Sequence, residues 1–146
     1  MKAKPKVYGL LIVLLLLVAA SSCSNKDDDN NPPPEPTVAE LLAHKWFFFK
    51  REVNGTVLLA DACTKQTYLD FKSDGSFTFQ EFDYDNNQNC VNSPVTLGAY
   101  SLSPDETKIM VSGAFGDQTL TINSISETEL VLIFLSGEIN TLKREL

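Results

Sequence analysis

Three cysteines, one histidine and a spread of carboxylates carry whatever chemistry this chain has. His44 is the single imidazole, and no Ser-His-Asp order, CxxC, HExxH or glycine-rich phosphate loop accompanies it. Those are the constellations that nucleophilic, redox, metal and phosphoryl chemistry need, so the residues point away from an enzyme and call for no cofactor. Asp83 to Asn89 offers alternating oxygen ligands, as calcium loops begin. Its sixth position is Gln88 rather than glycine and its twelfth is Pro94 rather than glutamate, so no metal is expected there. Glu81 continues the face of Phe77 and Phe79, where a carboxylate in a pocket would grip an amine or hydroxyl. A solvated rim residue is the alternative, because glutamate is seldom buried unpaired. Tyr68 and Tyr100 add polar tips on the same logic, and Trp46, Phe48, Phe71 and Phe79 add apolar surface. These seven residues form the candidate ligand-binding set.

The cysteines read differently from one another. Residues 1–22 have a leader's layout: Lys2, Lys4 and Lys6, then the apolar run Val7 to Ala20, then small residues. The run is short for a bilayer span, so a signal peptide is expected rather than a membrane helix. Ala20-Ser21-Ser22-Cys23 resembles the lipobox of bacterial lipoproteins, which implies cleavage before Cys23 and acylation of it. Acyl chains at about 0.8 kcal/mol per buried CH₂ would hold the protein on a membrane. Ser24 to Asp29 resembles the lysine-then-acidic export signal of some Gram-negative lipoproteins. That implies the outer face of the outer membrane. The alternatives are a plain solvated acidic linker and the periplasmic face. Asn30 to Pro36 favours polyproline II, so residues 23–36 form a lipidated, stiff tether. With Cys23 acylated, Cys63 and Cys90 remain. In an oxidising compartment they are expected to bridge, stabilising the fold by roughly 3 kcal/mol.

Charge narrows the partners. The chain carries −7 formally. Losing the three leader lysines and no acids moves it to −10. Nucleic acid is excluded as a natural partner, and so is a second, electrostatic membrane anchor.

Residues 37–146 suit one domain. Thr37 and Glu40 make a capping box for a short helix over Val38 to His44. Trp46 to Val53, Asn54-Gly55 and Thr56 to Ala60 read as a hairpin. Thr67 to Asp83 is a second hairpin, turned by Ser73-Asp74-Gly75, with Leu69, Phe71, Phe77 and Phe79 on one face. Asp83 to Ser93 reads as a polar loop. Further strands are expected over Val95 to Ser103, Lys108 to Ser112, Gln118 to Ile125, Leu130 to Leu135 and Ile139 to Lys143. About eight or nine short strands and one helix predict an all-β, antiparallel, up-and-down barrel able to hold one small ligand. The first and eighth strands are apolar on both faces and need a cover. The stretch Val38 to Leu42 is one candidate cover; a partner or second copy on a patch such as Phe49 and Ile133 is the other.

Several segments together resemble the lipocalin-like domains of short bacterial lipoproteins. They are Leu42 to Trp46, Cys63 to Leu69 leading into Phe71 to Phe77, Gly98 to Leu102 and Ile125 to Leu132. Lys45 stands where the family usually has glycine. The resemblance implies a barrel with Trp46 plugging its floor, no catalytic residues, and a small apolar or amphipathic ligand in the mouth. A protein-interaction module, an accessory subunit or inhibitor using its outer apolar strands, is the competing reading.

Overall fold

Thr67 to Asp83 folds as its residues specify. In this computed structural model, which describes residues 33–114 and 116–144, Tyr68–Phe71 pairs antiparallel with Ser76–Gln80. Leu69 lies opposite Phe79 and Phe71 opposite Phe77, so four apolar side chains share one face. Gly75 sits at φ 83°, a conformation that costs other residues a Cβ clash. Asp74 Oδ1 accepts from Ser76 N and Oγ and locks the turn. The leader, Cys23 and most of the tether lie outside the described residues.

In chain order, helix α1 (Val38–Leu42) precedes β1 (Lys45–Val53) and β2 (Thr56–Leu59). A 3-10 turn, Thr64–Gln66, leads to β3 (Tyr68–Phe71) and β4 (Ser76–Gln80). Then come β5 (Phe82–Tyr84), β6 (Cys90–Asn92), β7 (Thr96–Leu102) and β8 (Lys108–Gly113). The last three are β9 (Gln118–Ile125), β10 (Glu129–Ile133) and β11 (Ile139–Lys143). Eight strands close a barrel in the order β1-β3-β4-β7-β8-β9-β10-β11, and β11 returns to β1. The predicted all-β, up-and-down barrel is therefore present.

β1 makes the closure possible because it is long and bulged. Its first half pairs with β3 and its second half with β2, while β11 runs along its other edge. The β1–β11 register steps from Phe48↔Leu142 to Lys50↔Thr141, leaving Phe49 as the extra residue. Asn54 and Gly55, at φ 51° and 77°, turn β1 into β2 as a type I′ hairpin. β9 is bulged too: Val131 faces Ser124 and Leu132 faces Ile122, so Asn123 is skipped. That shift lets Ile122 and Ile125 both pack on the core, which strict alternation forbids.

One end of the barrel is filled. Trp46, Phe71, Phe77, Ile109, Leu130, Leu132 and Leu142 are buried there, each from an inward position. Full burial of such a side chain is worth roughly 1.5–3 kcal/mol. Trp46 donates its Nε1–H to the Leu42 carbonyl at 3.1 Å, so the floor plug is hydrogen-bonded. Phe77 faces Gly98 across the β4–β7 pair, and a Cβ at Gly98 would collide with its ring and with the Ser112 carbonyl.

Three expectations need correction. Asp83 to Ser93 is not a plain loop: β5 and β6 form a separate two-stranded hairpin. The described strands thus number eleven, eight of them in the barrel. Finally, α1 closes the floor rather than covering the outer faces of β1 and β10. Leu42 is fully buried in the core, and the Arg144 guanidinium ties the helix end down by donating from Nη2 to the Leu41 carbonyl at 2.9 Å. The predicted capping box is formed: Thr37 Oγ1 accepts from Glu40 N, and Glu40 Oε2 accepts from Thr37 N.

Candidate ligand cavity

Above the packed floor the barrel stays open. A cavity of about 540 Å³ occupies this end. Leu69, Val111 and Leu120 are its base, shared with the core below. Phe48, Phe79 and Phe134 form apolar walls. The volume lies within the roughly 300–1,000 Å³ typical of small-molecule sites.

The mouth is built by segments outside the barrel. Leu58, Leu59 and Ala60 come from β2 and the residue after it, and Phe82 and Asp83 come from β5. A Cys63–Cys90 disulfide, Cα–Cα 5.4 Å, staples the 3-10 turn to the β5–β6 hairpin, as the cysteine count predicted. Thr67, also lining the cavity, joins the same two segments: its Oγ1 accepts from Phe82 N at 2.8 Å and donates to the Phe82 carbonyl at 3.3 Å. Two covalent and polar ties therefore fix one side of the mouth.

Four carboxylates (Asp61, Glu81, Asp83, Glu138) and two cations (Lys50, Arg51) line the cavity. Among the described residues the one ion pair is Lys72–Asp70, on the outside, so none of the six is neutralised by salt bridging. Asp61 is structural: the Thr64 and Cys63 backbone N–H groups hold its carboxyl below the usual range. Glu138 accepts from Asn140 Nδ2 at 2.8 Å. Asn140 is 1 % exposed, and its Oδ1 accepts nothing. An unsatisfied buried acceptor costs about 1–3 kcal/mol, so its persistence asks for a reason.

The seven candidate residues divide three ways. Phe48, Phe79 and Glu81 line the cavity, with Glu81 exposed at the rim. Trp46, Phe71 and Tyr100 do not reach it. Trp46 and Phe71 are core, and Tyr100 packs edge-on to Phe71 at 5.0 Å while its hydroxyl donates to the Lys72 carbonyl. Burial, with the charge of Asp74, pushes the Tyr100 hydroxyl above its ordinary value. Tyr68 stands on the outer wall, edge-on to Phe47 and beneath Lys45 Nζ. Its parity excludes it from the cavity, because its neighbour Leu69 points in. The residues missed were Arg51, Glu138 and Asn140. For Asn140 a signal existed: it sits two residues before buried Leu142, hence on the inward face.

Asp83 to Asn89 works as a turn. Asp85 accepts from the Asn87 and Asn89 amides and from the Asn89 side chain, which consumes its oxygens and holds its carboxyl low. Among the described residues no three His, Cys, Asp or Glu side chains gather to hold a metal ion.

The family model described as a lipocalin-like domain matches residues 42–132. Two solved structures are similar. A lipocalin-like protein from Bacteroides uniformis is 19% identical, with TM-score 0.53, covering 71% of this chain and 98% of its own. An uncharacterized protein from Bacteroides eggerthii is 14% identical, with TM-score 0.51, covering 71% and 99%. At these identities they speak to the fold. No curated protein matches the chain.

Proposed function

We propose, for a chain that belongs to the lipocalin-like domain family, a non-catalytic binding role for a small apolar or amphipathic ligand held in the barrel mouth. The cavity of about 540 Å³ carries this reading: its base and walls are aliphatic and aromatic, while charge is confined to its rim and one side. The domain would work at a membrane surface. Support comes from the basic, apolar and small-residue layout of residues 1–22, and from Cys23 as the acylated first residue of the mature chain. The acidic run after it supports the outer face of the outer membrane over the periplasmic face.

Native mass spectrometry of the protein purified from its own host, before and after mild denaturation, tests the binding role. A small molecule released on unfolding is expected. An empty chain at full occupancy of the folded state refutes it. Acylation is tested by metabolic labelling with a clickable fatty acid. Cys23→Ala should abolish the label; a labelled variant refutes the anchor.

A second reading, a protein-interaction module, is favoured by one observation. Phe49, Val57, Leu58 and Leu59 of the β1–β2 hairpin are exposed apolar residues, with Leu59 71% exposed; Leu58 and Leu59 border the cavity mouth, whereas Phe49 and Val57 do not. Ile133, the expected companion of Phe49, is partly buried. Size-exclusion chromatography with light scattering tests the dimer version of this reading: a monomer at high concentration refutes self-association.

A further inference from the structure

One buried polar group in the cavity is unused. Among the described residues only Asn140 Oδ1 and Arg144 Nε are buried side-chain polar atoms without a partner. Arg144 sits at the floor, its guanidinium over the Trp46 ring, away from the cavity. Asn140 lines the cavity, from the inward face of β11 that also carries Leu142. Its orientation is fixed, because Nδ2 must face the Glu138 carboxylate to donate to Oε1 at 2.8 Å. Its carbonyl oxygen is therefore held as an acceptor. Glu138, also on the cavity wall, keeps Oε2 free of protein partners. Two acceptor oxygens thus belong to one hydrogen-bonded pair of side chains, and among the described residues neither has a protein donor. The lining as a whole holds four carboxylates against two cations, a balance that opposes an anionic head group.

We propose that Asn140 and Glu138 select the ligand: they form a polar anchor for an amphipathic molecule whose head group donates hydrogen bonds, a hydroxyl or a protonated amine, with its apolar tail between Phe48 and Phe79. This rests on the cavity being the binding site. Arg51 lies opposite both Asn140 on β11 and Leu58 on β2, at the outer edge of the same site. It faces solvent and leaves the deeper acceptors to the ligand.

Four probes with one tail test this: n-octane, n-octanol, octylamine and octanoate, each displacing Nile red from the purified protein. n-Octanol and octylamine should bind more tightly than n-octane and octanoate. Asn140→Leu should weaken n-octanol about five- to tenfold, the worth of one buried hydrogen bond, and should not weaken n-octane, which loses no hydrogen bond. Glu138→Gln should reduce the advantage of octylamine over n-octanol and leave n-octanol within about twofold, since an amide oxygen still accepts but carries no charge. If n-octane binds as well as n-octanol, water satisfies Asn140 and the anchor is overturned while the cavity reading stands. If octanoate binds best, Lys50 and Arg51 hold the head group and the anchor is overturned. If no probe displaces the dye, both fall. Should circular dichroism show Asn140→Leu unfolded, Glu138→Gln decides: unchanged octylamine binding overturns the proposal.

Discussion

Breaking the Cys63–Cys90 bridge should cost much stability and little structure. The bridge spans 27 residues and encloses β3, β4 and β5. Removing that closure from the unfolded ensemble is worth roughly 3.5 kcal/mol at this loop length. At about 1.4 kcal/mol per tenfold, the unfolding constant should rise roughly 300-fold in Cys63→Ala/Cys90→Ala. The folded state should survive, because the same wall is held independently. Thr67 grips Phe82 through its hydroxyl, and the Phe48 amide donates to the Thr67 carbonyl at 2.9 Å. The assay is urea denaturation followed by the single tryptophan, Trp46, buried at the floor far from the change. Hydrogen exchange on the folded variant adds the location. Amides of β5 and β6 should exchange faster, since β6 is tied to the rest by β5, by Ser93 and by the bridge. Those of β8 to β10 should change only with global stability. A loss under about 1 kcal/mol would refute the loop-closure reasoning, which expects several times that. Faster exchange spread evenly, with no excess at β5 and β6, would refute the picture of a stapled mouth on a self-sufficient barrel.

Gly98→Ala should destabilise by about 1–3 kcal/mol, as overpacking does, because its Cβ would press on the Phe77 ring, whose Cδ1 lies at 3.1 Å, and on a backbone carbonyl that cannot swing away; urea midpoints within error of the parent would contradict this. Trp46→Phe should cost about 2 kcal/mol in thermal or urea denaturation, from indole volume and the bond to the Leu42 carbonyl; that oxygen keeps the His44 amide at 2.6 Å, which limits the loss. Stability should fall as pH drops from neutral into the acid range. The carboxyls of Glu40, Asp61, Asp74, Asp85 and Asp105 are all held below their ordinary values by hydrogen bonds, Asp105 at about 2 chiefly by Ser103. Depressed carboxyls contribute fully above their unfolded values, 3.8 for the aspartates and 4.5 for Glu40, and the contribution is lost as pH falls through their folded values, about 2 for Asp105. A Tm plateau from neutral pH to about 5 and a decline below about 4 are expected; a Tm maximum near pH 3 would overturn the sign.

What the sequence made legible was local. Alternation placed Leu69, Phe71, Phe77 and Phe79 on one face, and Asn54-Gly55 and Asp74-Gly75 named their turns, because each signal needs only neighbours along the chain. The strands β5 and β6 escaped for the same reason: three residues each, joined by an Asp- and Asn-rich turn, are too short for an alternation to read. Depth escaped too. Phe71 and Phe79 share a face, yet one is floor and the other cavity wall, and only the register around the closed barrel separates them.

The candidate anchor shows the limit most sharply. Counting by twos from Trp46 and Phe48 would put Lys50 inward on β1. The bulge at Phe49 breaks that count, so Arg51 rather than Lys50 comes opposite Asn140. The pairing that brings them together joins the first strand to the last, and no spacing rule reaches that far. Asn140 was readable as a polar residue at an inward position. That its carbonyl has no partner was not, because that depends on what every other strand brings to the same end. A barrel of this size has room for a ligand only where its side chains stop short of filling it. Here they stop at Leu69, Val111 and Leu120, and the first inward polar side chain of β11 above its buried Leu142 is the one whose carbonyl oxygen has no partner among the described residues.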